Sequence, residues 1–344
     1  MYNALKSVYR KAFITDHPLM LAIGNLRQPR RFIQLAMHDQ IVGKIPLLSR
    51  TRPMVPPTGP IDGALIEKAY ADIREKGIAI FPGLLADKAR ELRARYMRAD
   101  SEYDEFDRYD RIFFNPTSNE LISSIVLNET FLALAGKFLG CQPYLRLGPS
   151  LAVLKPEHTT IPKYGVPHGL EQSGWHIDTP TLFGFHLIVN DTRPGDTRMR
   201  YAMGSQTVRR SSSGLRSEES IESRYPVLDC YGPAGTVYIF DHNGLHRAHG
   251  VKGSLRSTFE FYYTAGNSCF SIEMMRWAFE IDKLRGKPDR QHLGDGMMDP
   301  IRLNDAMTPL QRETLRAMME KKKWKESAQS RARGKNADKA PSMT

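Results

Sequence analysis

The sequence predicts a mainly β protein, an antiparallel sandwich or barrel with flanking helices. From about Pro143 the chain carries short apolar and aromatic segments, among them YLRLGPSLAVL, FGFHLIVND, GTVYIFD and STFEFYYT, with turn residues between them. Long helical patterns do not alternate with these segments, as they would in a parallel sheet. A chain of 344 residues is long enough to bury one large core, so we expect a single main domain.

Helical patterns flank the β segments. The stretches at 64–76 (ALIEKAYADIREK) and 86–99 (ADKARELRARYMRA) have helical periodicity. Between them, GIAIFPG at 77–83 predicts a short buried strand that ends at Pro-Gly. The segment TPLQRETLRAMMEKKKW at 308–324 begins with Thr-Pro and predicts a further helix.

Composition divides the chain into three regions. Residues 1–60 combine a basic arm with the proline-rich linker TRPMVPPTGP, residues 61–285 carry the β domain, and residues 286–344 carry a loop, a helix and a basic tail. The tail has almost nothing to bury and is predicted to be disordered. Apolar residues recur in the arm at near-helical spacing beside basic ones. The arm is therefore predicted to be an amphipathic helix that docks on the body or lies on an anionic membrane, with disorder as the remaining alternative.

The net charge of +11 is unevenly distributed. Residues 1–50 carry eight Lys and Arg against two Asp and Glu, and residues 320–344 carry eight against three, so the stretch 51–319 is neutral. We therefore expect two solvated basic ends with weak attraction to polyanions or anionic membranes. A neutral body lacks the basic surface with interleaved aromatic residues that stacks on bases, so no specific nucleic-acid partner is expected.

Composition also bears on location. Three cysteines, far apart and odd in number, argue against a disulfide framework and against a cysteine zinc site. The longest apolar runs are shorter than the roughly 20 residues that a membrane-spanning helix needs. The first residues lack the basic start, continuous apolar middle and cleavage site of a secretory signal, so we expect a cytoplasmic protein.

The stretch SGWHIDTP at 173–180 carries the first chemical signal. At the end of a strand, His176 and Asp178 point to the same side while Ile177 faces away. Two histidines and one carboxylate on one face of an octahedron leave three positions open, which suits ferrous iron that must bind a cosubstrate and oxygen. Taken alone, a His-x-Asp pair is a weak signal that also fits a polar crossing between strands, so a second histidine is needed downstream.

Residues 234–263, AGTVYIFDHNGLHRAHGVKGSLRSTFEFYY, offer candidates for that histidine. A strand is followed by a turn with His242, His246 and His249, each of which is a possible ligand or a plain turn histidine. The next strand opens with Arg256. An arginine in an otherwise apolar and aromatic strand needs an anion, because burying it unpaired is costly. A small dicarboxylate held by two hydrogen bonds would satisfy it.

With these motifs the chain resembles the phytanoyl-CoA dioxygenase group of iron(II)- and 2-oxoglutarate-dependent oxygenases. The resemblance covers about residues 64–266. It is carried by the order and spacing of Trp175-His176-Ile177-Asp178, Ile188-Val189-Asn190-Asp191, Met203-Gly204-Ser205-Gln206, Gly235-Thr236, His246 and Arg256. At Gln206 the family has a histidine.

The resemblance implies a double-stranded β-helix (jelly roll, cupin-like) with Fe(II), 2-oxoglutarate and O2 as cofactors and cosubstrates. It implies that His176, Asp178 and His246 are the iron ligands. It further implies that Arg256 pairs with the distal carboxylate of 2-oxoglutarate and that Lys155 assists. Since related halogenases lack the carboxylate, Asp178 favours hydroxylation.

Other positions have two interpretations each. His186 lies in a segment that is predicted to be a buried strand. It is either a hydrogen-bonded core residue or a pocket residue. Trp175 is predicted to pack rather than to contact substrate. Arg198 and Arg200 alternate on one strand face, which is either solvated or a clamp for an acidic substrate.

The predicted function is that of an Fe(II)/2-oxoglutarate-dependent dioxygenase. It would hydroxylate an unactivated carbon of a small-molecule or lipid-linked substrate, with slight weight for an anionic one, and release succinate and CO2. The alternative is a catalytically inactive jelly-roll binding protein whose basic ends contact a membrane or a polyanion. The residues predict neither the identity of the substrate nor the oligomeric state.

Overall fold

A computed structural model of the protein describes residues 52–98, 110–117, 119–145, 149–154, 162–163, 166–167, 175–177, 182–208, 218–265, 291–293 and 301–316. Its helices are α1 (Gly63–Lys76), α2 (Ala86–Tyr96), α3 (Glu120–Val126), α4 (Glu129–Leu139) and α5 (Glu218–Glu222). A further helix covers residues 309–316. The strands are β1 (Ile78–Phe81), β2 (Asp110–Phe113), β3 (Pro143–Leu145), β4 (Ser150–Leu154), β5 (Pro162–Lys163), β6 (Val166–Pro167), β7 (Leu182–Ile188), β8 (Arg198–Ala202), β9 (Val227–Cys230), β10 (Val237–Asp241), β11 (His246–His249), β12 (Arg256–Ala265) and β13 (Gln291–Leu293).

Besides the two-stranded sheet of β5 and β6, two sheets form the β domain. The larger has the order β1-β10-β7-β12-β4-β2-β13, with β3 also paired to β12, and the smaller has the order β11-β8-β9. From β7 to β12 the chain passes back and forth between the two sheets, and these strands pair antiparallel, whereas β13 pairs parallel with β2. Side chains of both sheets pack together in one cluster, among them Tyr238 and Phe240 from the larger sheet and Met199 and Tyr201 from the smaller. This arrangement confirms the predicted jelly roll.

The larger sheet has a second, helix-covered face. In β7 the side chains of Phe183 and Phe185 point to the helices, because residues two apart share a face. Helix α4 packs there, with ring centroids 4.2 Å apart for Phe138 and Phe183 and 5.2 Å apart for Phe131 and Phe185. The main hydrophobic core of the protein therefore lies between α4 and the larger sheet.

Helices α3 and α4 are missing from the sequence-based prediction, although their starts are marked. Asn119 and Asn128 cap them by accepting hydrogen bonds from backbone N–H groups of the first turn. By length and composition alone the stretch Glu120–Leu139 could cross a membrane, but 72% of its apolar window is buried inside the fold. It is a pair of core helices covered by the sheet and by α1.

The other predicted elements have clear counterparts. The helix expected at 64–76 is α1, which ends at Gly77 in the left-handed conformation with φ of 85°. The expected strand is β1, and the expected helix at 86–99 is α2, which ends three residues early, at Tyr96. The part of the predicted helix 308–324 that the structure describes is helical at 309–316.

Segments on both sides of the β domain pack against it. Met54 and Val55 of the proline-rich segment contact the main core, and so does Leu310 of the last described helix. The three-part division of the chain stays a prediction. The basic residues of the arm and of the tail, at 1–51 and 317–344, lie outside the described residues.

Candidate active site

Two histidines meet in the smaller sheet. His176 and His246 form an antiparallel bridge, in which each backbone N–H donates to the carbonyl oxygen of the other at 3.0 Å. Their ring centroids are 4.5 Å apart. His246 is buried, and its Nδ1 lies 3.0 Å from the carbonyl oxygen of Gly244. Because a carbonyl oxygen only accepts, Nδ1 carries the proton, and Nε2 is the electron-pair donor of the neutral ring.

The turn before His246 fixes the position of that ring. The hydroxyl oxygen of Ser205 accepts from the Leu245 backbone N–H at 2.8 Å. Tyr201 lies nearly parallel to the His246 ring, with centroids 6.5 Å apart. Gly244 is required beneath Tyr201, because a Cβ at this position would overlap the tyrosine hydroxyl.

The side chains of the other two histidines of this region, His249 and His242, point in different directions. Strand alternation places His249 on the outer face, where its Nδ1 lies 2.9 Å from Nη2 of Arg247. Burial and neighbouring arginines lower the pKa of His249 to about 4. His242 lies inside the barrel, stacked on Phe240, with its ring centroid 5.2 Å from that of His246. The geometry thus excludes His249 from this centre and leaves His242 next to it.

Two predicted site residues, Asp178 and Lys155, lie outside the described residues. Their roles as an iron ligand and as a 2-oxoglutarate contact stay predictions. Within the described ranges, no group of three His, Cys, Asp or Glu side chains is placed to hold a metal ion. The structure therefore brings together His176 and His246 of the predicted triad and does not test the third member.

A buried arginine provides a second binding element inside the barrel. Arg256 is 7% exposed, and its Nη2 donates to the Tyr238 hydroxyl at 2.9 Å. Among the residues that the structure describes, it forms no ion pair with a carboxylate within 4.0 Å. Burial alone would lower the pKa of Arg256, but Tyr238 and Glu260 outweigh this effect and raise it. The guanidinium stays charged, and the proton of the Tyr238 hydroxyl remains to be donated, so the pair suits a carboxylate.

Sequence reasoning identified Arg256 but missed Tyr238. The two residues lie on β12 and β10, which flank β7 on opposite sides. The sequence of β10, VYIFD, contains a signal for Tyr238. This tyrosine is the polar residue among the positions of the strand that face the barrel. Only the strand order shows that its hydroxyl meets the guanidinium.

Asn190 holds the backbone on both sides of Arg256. Its Oδ1 accepts from the backbone N–H of Ser257 at 2.6 Å and from the Ser257 hydroxyl at 2.5 Å. Its Nδ2 donates to the carbonyl oxygen of Leu255 at 3.0 Å. The neighbouring Asp191 accepts a backbone hydrogen bond at 2.8 Å from the turn before β10. The Asn-Asp pair of the sequence motif therefore positions the strands that carry Arg256 and Tyr238.

A chain of polar side chains lines the barrel beside Arg256. Tyr262 donates to Oε2 of Glu260 at 3.1 Å, and Thr258 donates to Oε1 at 3.2 Å. His186 Nε2 lies 3.2 Å from the Tyr262 hydroxyl. Burial lowers the pKa of His186 to about 3, so its ring is neutral. His186 is thus hydrogen-bonded inside the barrel, and its role as a pocket residue near the cosubstrate stays a prediction.

Arg198 and Arg200 hold the smaller sheet together. Both bind Asp229 at 2.9 Å, and Arg200 also binds Glu222 of α5 at 2.9 Å. Their side chains are only 12% and 16% exposed, so the interpretation as a solvated face is wrong. Burial alone would raise the pKa of Asp229, but the two arginines outweigh it and hold that pKa below its usual value. Both guanidinium groups already bind these carboxylates. Neither is therefore free to act as a clamp for an acidic substrate.

Two further motif positions serve packing. Trp175 is fully buried and packs with Ile177 and Leu245, as predicted. Gln206, at the position of the family's histidine, points its Nε2 to the end of α1, 3.3 Å from the carbonyl oxygen of Glu75. The Nε2 of this side chain therefore binds the end of a helix.

The barrel interior thus offers two complementary elements. Two adjacent imidazoles form a typical pair of ligands for a transition metal. A charged guanidinium with a hydroxyl beside it can hold a carboxylate. A small molecule that binds a metal at one end and carries a carboxylate at the other would engage both.

Comparisons with known proteins identify similar solved structures but no matching family. No family model and no curated protein matches the chain. The epimerase SnoN in complex with Fe3+, alpha ketoglutarate and nogalamycin RO has a TM-score of 0.43 and 17% identity, over 60% of this chain and 85% of that one. EctD from S. alaskensis in its apoform has a TM-score of 0.43 and 16% identity, over 63% and 81%. HygX from Streptomyces hygroscopicus with nickel and 2-oxoglutarate bound has a TM-score of 0.42 and 15% identity, over 60% and 88%.

All three TM-scores lie below 0.5 and all three identities below 25%. These likenesses therefore do not establish the reaction of this chain. Its jelly roll is established by its own strand order, and its chemistry depends on the residues inside the barrel.

Proposed function

We propose that this protein is an Fe(II)/2-oxoglutarate-dependent dioxygenase. The observation that carries the proposal is the joint placement of His176 and His246 with the buried Arg256–Tyr238 pair inside one barrel. A metal-binding pair alone would fit many proteins. A metal-binding pair that shares its barrel with a carboxylate anchor fits a metal and a dicarboxylate together.

The donor set fits ferrous iron. His246 is locked with Nδ1 toward Gly244, so that Nε2 is the donor atom, and the His176 ring lies close enough to share one ion. Asp178 would add the carboxylate. The backbone bridge between the two histidines holds both rings in place before any metal binds, which reduces the ordering cost of binding.

The anchor fits the distal carboxylate of 2-oxoglutarate. Arg256 supplies the charge and Tyr238 a hydroxyl proton, and Asn190 keeps the strand in register around them. Lys155 would assist, as the family resemblance implies. Apolar side chains of both sheets, such as Ile188 and Met199, line the same interior and exclude water from it.

When bound, iron(II) with 2-oxoglutarate and O2 would supply an oxidant for an unactivated carbon, with release of succinate and CO2. The chain's own residues bind, orient and shield the reactants. We propose hydroxylation as the outcome and a small-molecule or lipid-linked compound as the substrate. We also propose that the protein acts in the cytoplasm.

The test is an anaerobic titration of metal-free protein with iron(II) and then with 2-oxoglutarate, followed by visible absorption. A chelated complex gives a charge-transfer band. We expect the band in the wild type, its loss in His176→Ala and its weakening in Arg256→Ala. As a matched control, His249→Ala removes a histidine from the outer face and should keep the band.

Absence of the band in the wild type would overturn the proposal. The jelly roll would then belong to a binding protein, the alternative that the sequence left open. A band that persists in His176→Ala but disappears in His249→Ala would place the metal on the other side of the smaller sheet.

A further inference from the structure

His186 lies in the middle of three adjacent strands that line the barrel. On β7 it pairs with Tyr238 of β10 on one side and with Glu260 of β12 on the other. Its neighbour Phe185 faces the helices, so strand alternation turns the His186 side chain into the barrel. Only 7% of the residue is exposed. Its imidazole is therefore a buried polar group of the barrel interior.

The imidazole lies between the two proposed binding elements. Its ring centroid is 5.4 Å from that of Tyr238, whose hydroxyl meets the Arg256 guanidinium. On the other side it is 4.9 Å from the ring of Phe240, which lies 5.4 Å from the ring of His246. One aromatic ring thus separates His186 from the histidine pair, and one tyrosine links it to the carboxylate anchor.

Hydrogen bonds on β12 fix the tautomer of this imidazole. The Tyr262 hydroxyl donates its only proton to Glu260 Oε2 at 3.1 Å, and Thr258 donates to Oε1 at 3.2 Å. The Tyr262 oxygen must therefore accept from His186 Nε2, which lies 3.2 Å away. Burial lowers the pKa of His186 to about 3, so the ring carries no second proton. Its Nδ1 is therefore an electron-pair acceptor.

This acceptor is unsatisfied. Nδ1 of His186 is buried, and no group in the described part of the chain donates a hydrogen bond to it. A buried acceptor without a donor costs free energy, and native proteins contain few such groups. Because the atom is closed to bulk water, the donor has to be a molecule that enters the barrel.

We propose that Nδ1 of His186 accepts a hydrogen bond from a hydroxyl or ammonium group of the substrate. This step rests on the proposed function, since it takes the entering molecule to be the substrate of the oxygenase. 2-Oxoglutarate does not fit this nitrogen, because its carboxylate and oxo oxygens only accept hydrogen bonds. His186 is thus a specificity-determining residue. It disfavours an apolar analogue of the same shape, which would leave the buried acceptor unsatisfied.

The test is nitrogen NMR spectroscopy of metal-free protein with isotope-labelled histidine. The signals of His186 are assigned by their absence from His186→Asn. We expect a protonated Nε2 and an unprotonated Nδ1 without a hydrogen bond. The probes are 2-propanol and isopropylammonium, which carry a donor, and acetone, which has the same carbon skeleton and none. Both donor probes should shift the Nδ1 signal in the direction of a hydrogen-bonded nitrogen, and acetone should leave it unchanged.

His249 provides a control in the same spectrum. Its Nδ1 already lies 2.9 Å from the donor Arg247 Nη2, so no probe should move its signal. A protonated Nδ1 in His186 would overturn the proposal, and so would a signal that neither donor probe moves. A shift caused by acetone, or by 2-oxoglutarate in place of the donor probes, would equally contradict it.

The hydrogen bonds of β12 are tested by Tyr262→Phe, in protein shown to be folded by its thermal transition. Without the accepting oxygen, the proton of His186 should distribute over both ring nitrogens. Tyr263→Phe is the matched control, because it removes the hydroxyl of the next residue, which donates to the Val126 carbonyl oxygen on the helix-covered face. This control should keep the wild-type tautomer.

An unchanged tautomer in Tyr262→Phe would refute the hydrogen-bond chain on which the proposal depends. All these spectra are recorded without iron, so their outcome does not depend on the charge-transfer band of the iron and 2-oxoglutarate complex. Failure of this proposal is therefore distinguishable from failure of the proposed function.

Discussion

The two faces of the larger sheet are built from the same strands but have different chemistry. In β12, Phe259, Phe261 and Tyr263 face the helices, where Phe261 and Tyr263 contact the ring of Phe185 in β7 and Phe259 contacts the ring of Phe114. The alternate residues Arg256, Thr258, Glu260 and Tyr262 face the barrel and form the polar network described above. Because side chains alternate along a strand, β12 thus contributes to the hydrophobic core on one side and to the candidate site on the other.

This difference shows how the fold separates stability from binding. The helix-covered face is filled by aromatic side chains, whose burial contributes most of the hydrophobic stabilisation. The barrel face keeps a buried charge and several polar groups, which cost free energy unless a ligand or a neighbour satisfies them. Substitutions on the two faces should therefore affect different measurements.

The largest expected effect is on the helix-covered face. Phe185 packs against Phe131, Phe261 and Tyr263, with ring centroids between 5.1 and 5.3 Å. Phe185→Ala should lower the free energy of unfolding by about 3–5 kcal/mol, measured by urea denaturation. Folded variant protein should still bind 2-oxoglutarate. A loss of less than about 1 kcal/mol would show that this face is not the main source of stability, and Phe185→Leu should be intermediate.

The second-largest expected effect is that of the substitution Arg256→Met on the barrel face. It should keep the free energy of unfolding within about 1 kcal/mol, because an apolar side chain of similar length replaces a buried charge. The affinity for 2-oxoglutarate should fall by about 2–5 kcal/mol, measured by anaerobic calorimetry, because the carboxylate loses its cation. An unchanged affinity would place the anchor elsewhere in the barrel.

A carboxylate on the helix-covered side predicts a pH effect. Burial raises the pKa of Asp241 to about 6, although hydrogen bonds from Asn243 oppose the shift. A carboxyl group with a raised pKa destabilises the folded state above that pKa, and this cost shrinks as the pH falls from the raised pKa towards the ordinary one. The cost at pH 8 is about 3 kcal/mol. Asp241→Asn should therefore be more stable than the wild type at pH 8, with the difference vanishing near pH 4, and a difference independent of pH would contradict this.

The smallest expected effect concerns the strand end that carries the anchor. Asn190→Ala removes the hydrogen bonds to Leu255 and Ser257 and should weaken 2-oxoglutarate binding by about 1–2 kcal/mol through displacement of Arg256. Iron affinity should not change, because the histidines lie on other strands. Asn190→Asp keeps the two accepting contacts and should restore most of the affinity. Equal losses for iron and 2-oxoglutarate would indicate general damage to the fold.

Much of the fold was predictable because the hydrophobic periodicity of strands and helices and the residues that mark turns are local features of the sequence. The segments FGFHLIVND, GTVYIFD and STFEFYYT became β7, β10 and β12, and the helices at α1 and α2 followed their apolar spacing. Helix α4 was missed because most of its residues are buried, and α3 was missed because its 7 residues are too few to show a helical period. Their caps at Asn119 and Asn128 were the available signal.

The candidate site was predictable only in part. His176, His246 and Arg256 follow from motif order. The contact of Tyr238 with Arg256 depends on strand order, and the ion pairs of Arg198 and Arg200 depend on the register of β8 with β9. No local pattern encodes these long-range pairings, since register is decided by the whole sheet.

Trp175 gives the candidate site an optical reporter. Its indole is fully buried directly beside His176 in the chain, and the Arg247 guanidinium lies 5.6 Å from the ring centroid. A tryptophan in such a dry environment emits at shorter wavelength than one in water. In a chain with Trp277→Phe and Trp324→Phe, the remaining emission would come from Trp175 alone. Loading of a metal beside it would then be visible as quenching, in real time and without any substrate.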